Sequence, residues 1–134
     1  MVSILIAYLA ALVVMAGLDF VWLSMTADPV YRSALGEVMA QQPHWPAAIA
    51  FYLLYGLGVV LFAVRPALVT GDWRAALLWG GLFGFFAYAT YDLTNLATLN
   101  VWSLKVSLID MAWGAVLSAV SAGASAWVTL ALRR

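Results

Sequence analysis

Residues 3–25 read SILIAYLAALVVMAGLDFVWLSM, an apolar run in which Asp19 is the single formal charge. A helix rises about 1.5 Å per residue, so about 20 apolar residues are enough to cross the hydrocarbon core of a bilayer. Hydrocarbon offers no hydrogen bonds, so every backbone amide within it must be satisfied inside the segment, as it is in a helix. The run therefore predicts a transmembrane helix. We expect it to be retained, because it lacks the basic start of a signal peptide.

Three further apolar runs follow, each long enough to cross a membrane. They cover residues 45–64, 75–97 and 104–132. No composition shift or linker within the 134 residues separates two domains. We therefore expect an all-α membrane protein, a four-transmembrane-helix bundle forming a single domain over residues 1–134.

The composition excludes most soluble classes of protein. Hydrophobic residues make up 66% of the chain and charged residues 9%, whereas soluble domains carry about 45–50% and about 25%. So few charged side chains cannot cover the surface of a small globule in water. The formal net charge is zero and cysteine is absent. This balance excludes nucleic-acid binding through a basic patch, a disulfide framework and a cysteine-based zinc site.

The connections between the apolar runs differ in character. Residues 26–44 carry apolar side chains at helical spacing among charged and amide ones. That pattern predicts a short interfacial amphipathic helix between the first and second helices. Residues 65–74 contain Pro66 and Gly71 and predict a loop.

Basic residues are distributed unevenly between the two sides of the expected bundle. One side holds Arg65, Arg74, Arg133 and Arg134, and the other holds Arg32 and Lys105. Because cytoplasmic segments are enriched in Lys and Arg, we expect both termini on the cytoplasmic side.

Three carboxyl groups lie within the expected spans, where ionisable residues are costly and mark functional sites. They belong to Asp19, Asp92 and Asp110. The first two lie near the ends of their helices, and Asp110 lies near the start of the helix that enters from the same side. At about 1.5 Å per residue, all three lie roughly 8–9 Å below one membrane face. The expected orientation makes that face the outer one.

Aromatic and amide side chains accompany these acids. Trp22 follows Asp19 by three residues, and Trp113 follows Asp110 at the same spacing. Side chains three and four residues apart share a helix face, and the third helix has such a face in Tyr88, Tyr91, Asp92 and Asn95. The candidate acid/base residues are Asp92, Asp19 and Asp110, and the candidate substrate-binding residues are Asn95, Tyr88, Tyr91, Trp22 and Trp113.

Three segments carry a family resemblance. They are DFVWL at residues 19–23, YATYDLTNLA at residues 88–97 and DMAWG at residues 110–114. These segments resemble the signatures of a bacterial family of small membrane proteins, domain of unknown function 2177, and the likeness extends over essentially the whole chain. The resemblance implies a four-helix protein of the bacterial inner (cytoplasmic) membrane, and it implies no particular activity.

The acids and the aromatic residues together predict a one-sided pocket near the outer leaflet. It would bind a lipid-like or apolar small molecule, with Asp92 and Asn95 at the polar end of that molecule. Neighbouring carboxyl groups in a low dielectric resist simultaneous ionisation, so the cluster could exchange a proton with the bound molecule. Whether the protein is an enzyme stays open.

Other interpretations remain beside the pocket. The acids could serve only to fix helix packing through hydrogen bonds. The protein could be a proton-coupled small transporter acting as a dimer, although alternating access calls for an acid near the midplane. It could also be a non-catalytic membrane subunit. A homo-oligomer would form through glycine-lined helix faces, which contain Gly80, Gly81, Gly84 and Gly114.

The sequence contains no motif for a cofactor, and we expect none. Oxygen ligands from the three acids and Asn95, with His44 nearby, could hold a divalent cation. No ligand spacing supports that interpretation, so we expect no metal ion. The expected partners are membrane lipids and the bound molecule, and no nucleic acid.

Overall fold

The computed structural model describes residues 2–133 and contains four antiparallel helices. We label them α1 (Val2–Leu35), α2 (Trp45–Thr70), α3 (Trp73–Thr98) and α4 (Leu104–Ala131). All regular structure in this part of the chain is helical. The all-α bundle expected from the sequence is confirmed.

The first helix is longer than expected. It continues from Val2–Thr26 through a π-helical turn at Ala27–Arg32 and ends with Ser33–Leu35. The amide of Ser33 donates to the carbonyl of Asp28, five residues back, and the Ser33 hydroxyl donates to the carbonyl of Pro29 at 2.8 Å. The wide turn accommodates Pro29 without ending the helix. The short helix expected as a separate interfacial element is therefore the end of α1.

A second π-helical turn lengthens α2 in the same way. Its α-helical start ends at Val59, the turn covers Val60–Val64, and the helix continues over Arg65–Thr70. Pro66 stands in the first turn of this last piece, and the wider turn before it accommodates the missing N–H group. The expected loop at residues 65–74 therefore shrinks to Gly71, whose φ of 74° ends the helix, and Asp72.

Three of the described helices, α1, α2 and α4, are long and apolar enough to cross a membrane. The 26-residue α3 is equally long but contains more aromatic and polar side chains. It packs along α4 over most of its length. The contact is close because Gly80 and Gly84 face the α4 backbone, while Gly114 of α4 lies against the ring of Tyr88.

The apolar core lies toward the chain termini. There, small and β-branched side chains of α1, α2 and α4 interlock, and Ser125 of α4 donates to the carbonyl of Ala7 at 2.7 Å. The backbone of α2 approaches α3 mainly through Val60–Thr70, whereas residues 45–59 pack on α1. The two helices therefore diverge toward the opposite end of the bundle, and a gap opens between them.

Candidate functional site

Asp19 joins three helices at the open end of the bundle. Its carboxylate accepts hydrogen bonds from the Tyr52 hydroxyl of α2 and from the Trp113 indole of α4, the latter at 3.1 Å. The side chain is buried, with 8% of its surface exposed. Both of its oxygens are satisfied by neutral donors, so Asp19 fixes the spacing of α1, α2 and α4 here.

Asp110 ends a short chain of hydrogen bonds that begins on α1. The Trp22 indole donates to the Tyr31 hydroxyl at 3.0 Å, and that hydroxyl donates to Asp110 at 2.5 Å. The indoles of Trp22 and Trp113 stack with ring centroids 4.4 Å apart and an interplanar angle of 5°. This stack places the two carboxylates on either side of one aromatic pair.

Asp92 lies behind Asp110, beside its carboxyl group. It is fully buried, with 0% of its surface exposed. Within residues 2–133, neither of its carboxyl oxygens has a hydrogen-bond partner. A buried polar group without a partner costs free energy, on the order of 1–3 kcal/mol. Because the fold retains this costly carboxyl group, we expect the group to have a role other than stabilising the fold or to gain a hydrogen-bond partner.

A cavity of about 410 Å³ lies over these groups. Its wall is mostly apolar and aromatic, and the carboxyl groups of Asp19 and Asp110 reach it. All four helices contribute to the lining, which consists of Asp19, Trp22, Leu23, Tyr31, Phe51, Tyr55, Ala87, Tyr88, Tyr91, Asp110 and Trp113.

The cavity reaches the surface of the bundle at its exposed lining residues. These are Leu23 at 43%, Phe51 at 43% and Tyr91 at 58% exposure. Phe51 lies on α2 and Tyr91 on α3, the two helices that diverge. The opening therefore lies beside the gap between these two helices.

A second cavity of about 380 Å³ adjoins the first. It extends from Asp110 and Tyr31 toward the turn after α1 and the start of α4, where Met39 and Trp102 line it. Tyr31 and Asp110 line both cavities, so this carboxyl group is approached from two sides.

The structure brings most of the sequence-derived candidates together. Six of them line the first cavity: Asp19, Asp110, Trp22, Trp113, Tyr88 and Tyr91. Asp92 lies beside that wall and does not reach the cavity. Asn95 is half-buried and lines neither cavity. Within residues 2–133 no three His, Cys, Asp or Glu side chains cluster to hold a metal ion.

Three aromatic lining residues and one supporting tyrosine were not among the candidates. Tyr31 belongs to the apolar face of residues 26–44, which carries no mark of a polar role in sequence. Tyr52, Tyr55 and Phe51 lie on α2, a helix without an intramembrane charge to draw attention. The antiparallel pairing of α1 and α2 places the rings of these α2 residues opposite Asp19.

The long apolar helices and the buried intramembrane acids define an all-α integral membrane protein. Residues 4–127 match the sequence model of a family described as "Predicted membrane protein (DUF2177)". The chain belongs to this family, as the three signature segments indicated. Searches of curated proteins and of solved structures found no match.

Replacing Tyr31 with phenylalanine is expected to loosen the end of α1. The change removes the hydrogen bond to a carboxylate, which contributes about 1.5–3 kcal/mol to the free energy of unfolding. Unfolding by dodecyl sulfate in mixed micelles measures this loss, and trypsin should cleave faster after Arg32. Tyr91→Phe is the matched control, since that hydroxyl makes no hydrogen bond within residues 2–133. Equal stability of the two variants would contradict the expectation.

Proposed function

We propose that this protein binds a lipid-like or otherwise apolar small molecule with a polar end in the cavity between its diverging helices. One observation supports this most directly. An aromatic cavity with carboxyl groups on its inner wall opens sideways between α2 and α3. A water-soluble ligand has no use for an opening toward acyl chains, whereas an amphiphile can keep its tail in the bilayer while its polar end reaches the acids.

The polar end of the bound molecule would lie against Asp19 and Asp110. The stacked indoles of Trp22 and Trp113 form the wall between these acids, and Tyr88 lies close by on α3. The apolar part would leave through the gap past Phe51 and Tyr91. Membrane lipids are thus both the surroundings and the source of the ligand.

Acid/base chemistry on the bound molecule is the second part of this proposal. Asp110 lines both cavities, and Asp92 lies beside it without a hydrogen-bond partner among residues 2–133. Two adjacent carboxyl groups can hold and release a proton more readily than one. Asp110 would exchange the proton with the ligand, Asp92 would tune it, and the second cavity would connect Asp110 with the membrane surface.

A proton-coupled transporter has less support than a binding pocket. In the half of the bundle beyond Ser118 the helices are in direct contact, and the cavity of about 340 Å³ at Trp73, Leu77 and Trp127 is lined by none of the three acids. Gly80 lies against Ser118 and Ala122, and Ser125 bonds to Ala7. Within the described residues the acids have cavities on one side only, whereas alternating access needs both.

The family resemblance supports a location in the bacterial inner membrane. We propose that both termini are cytoplasmic, because the described basic residues Arg65, Arg74 and Arg133 lie at that end of the bundle. In this orientation the cavity opens into the outer leaflet.

Ala87→Phe is expected to abolish ligand binding. Ala87 lines the cavity on α3, so a phenyl group there occupies the space of the ligand without touching either acid. Native mass spectrometry of the protein released from membranes should show lipid-like adducts on the original chain and none on the variant. Ala112→Phe, on the exposed face of α4, should keep them. Adducts that persist on Ala87→Phe would overturn the proposed function.

A further inference from the structure

The hydrogen-bond donors that contact the two carboxylates are already engaged, and among the lining hydroxyls only those of Tyr88 and Tyr91 make no hydrogen bond within residues 2–133. The Tyr52 hydroxyl and the Trp113 indole donate to Asp19, and the Tyr31 hydroxyl donates to Asp110. The Trp22 indole donates to Tyr31. An anionic headgroup needs free donors or basic side chains, and these groups would have to give up a carboxylate to serve it.

The basic side chains lie elsewhere. Among residues 2–133, no Lys, Arg or His lines either cavity. Arg32 pairs with Asp28 on the outside of the bundle at 2.9 Å, and both side chains are largely exposed. His44 and Lys105 are exposed near the same end. The carboxyl groups therefore have no positive partner supplied by the described part of the chain.

A third carboxyl group lies behind the acids that line the cavity. Asp92, fully buried beside Asp110, has no partner of its own among residues 2–133. A positive charge placed near Asp110 would favour the ionised form of this carboxyl pair at short range and in a low dielectric. An unpartnered buried acid is thus an observation separate from the cavity, and it favours the same sign of ligand charge.

The aromatic walls match a cation in a second way. The faces of Trp and Tyr rings carry partial negative charge and attract ammonium groups, most strongly when both are shielded from water. The cavity that the two acids line is also lined by Trp22, Trp113, Tyr88 and Tyr55. Aromatic faces combined with carboxylates are how proteins hold amines and quaternary ammonium groups.

We propose that the polar end of the ligand is a cationic nitrogen, and that the pocket selects amphiphilic amines or quaternary ammonium compounds over neutral and anionic amphiphiles. The inference rests on the proposed function, since it names the class of molecule that the lateral cavity takes. It does not require that the molecule be chemically changed there.

The charge preference is tested with three labelled probes that share the same dodecyl tail: dodecyltrimethylammonium, dodecanol and dodecyl phosphate. Binding is measured by scintillation proximity on the full chain in neutral maltoside micelles. We expect the cationic probe to bind about tenfold or more tighter than the other two. If no probe binds above the Ala87→Phe background, the proposed function fails. If the neutral or anionic probe binds as well as the cationic one, the proposed binding cavity is supported and the proposed charge preference is wrong.

Asp110→Asn removes one carboxylate with little change in shape. It should weaken binding of dodecyltrimethylammonium by a larger factor than binding of dodecanol. Glu37→Gln, an exposed acid outside both cavities, is the matched control and should bind all three probes as the original chain does. Equal cation binding by Asp110→Asn would overturn the assignment. The probe comparison on the unaltered chain decides the preference even if this variant fails to fold.

Discussion

Gly84→Ala is expected to separate α3 from α4 and to destabilise the protein severely. A Cβ atom at Gly84 would overlap the carbonyl oxygen of Gly114 and the hydroxyl of Ser118. The first of these is backbone, so no rotamer change relieves the clash and the helices must move apart. Overpacking of this kind costs about 3 kcal/mol. Loss of the folded fraction during dodecyl sulfate titration, followed by circular dichroism and tryptophan fluorescence, measures the change.

Gly81→Ala is the control for this prediction. It lies on the same helix, and its added Cβ would meet Ala119 at 3.6 Å, an ordinary contact. Alanine is the better helix former, so the free energy of unfolding should stay the same or rise by up to about 1 kcal/mol. Should Gly84→Ala unfold at the same dodecyl sulfate concentration as Gly81→Ala, the α3–α4 contact is looser than described.

Asp92→Asn is expected to make the protein more stable and less functional. The carboxyl group is fully buried and has no partner among residues 2–133. The amide is nearly the same size, carries no charge, and has an N–H group that can donate to the adjacent Asp110. The folded state should gain about 1–3 kcal/mol, the usual cost of an unsatisfied buried group. Stability that rises while function falls is the signature of a group retained for its chemistry.

Two measurements check the Asp92 prediction. The dodecyl sulfate titration gives the free energy of unfolding, with the exposed Glu37→Gln as a neutral control. Membrane lipid composition is then compared between a deletion strain and a strain that carries Asp92→Asn. We expect the two strains to share the same altered composition. A destabilised variant would indicate that Asp92 serves in helix packing. An unchanged lipid composition in both strains would rule out the proposed acid/base chemistry on a lipid.

Sequence patterns predicted the helices well because hydrocarbon permits few alternatives. The shared depth of Asp19 and Asp110 could be predicted from helix direction, since α1 leaves the bundle at the end where α4 begins. Trp22 and Trp113 were placed by the same spacing relative to those acids, and their rings stack.

The helix ends were harder to predict because prolines usually stop helices. Pro29 and Pro66 instead lie in or beside π-helical turns, where the wider hydrogen-bond pattern tolerates the missing amide. Because α1 continues past Pro29, the Tyr31 hydroxyl reaches Asp110. The predicted α1 ended too early, and Tyr31 was therefore not identified as a candidate. The burial of Asp92 behind Asp110 depends on the rotation of α3 about its own axis. The helical spacing of polar residues predicts that rotation only to within a fraction of a turn.

The divergence of α2 from α3 has a consequence for how the proposed pocket would distinguish one amphiphile from another. A hydrocarbon tail that extends through the gap remains in contact with acyl chains, as it was in the bilayer before binding. Its environment therefore stays apolar. Lengthening the tail therefore adds nothing to affinity once it clears Phe51. Homologous amphiphiles of different length should compete as equals, and discrimination should reside wholly in the atoms that touch the two indoles and the carboxylates.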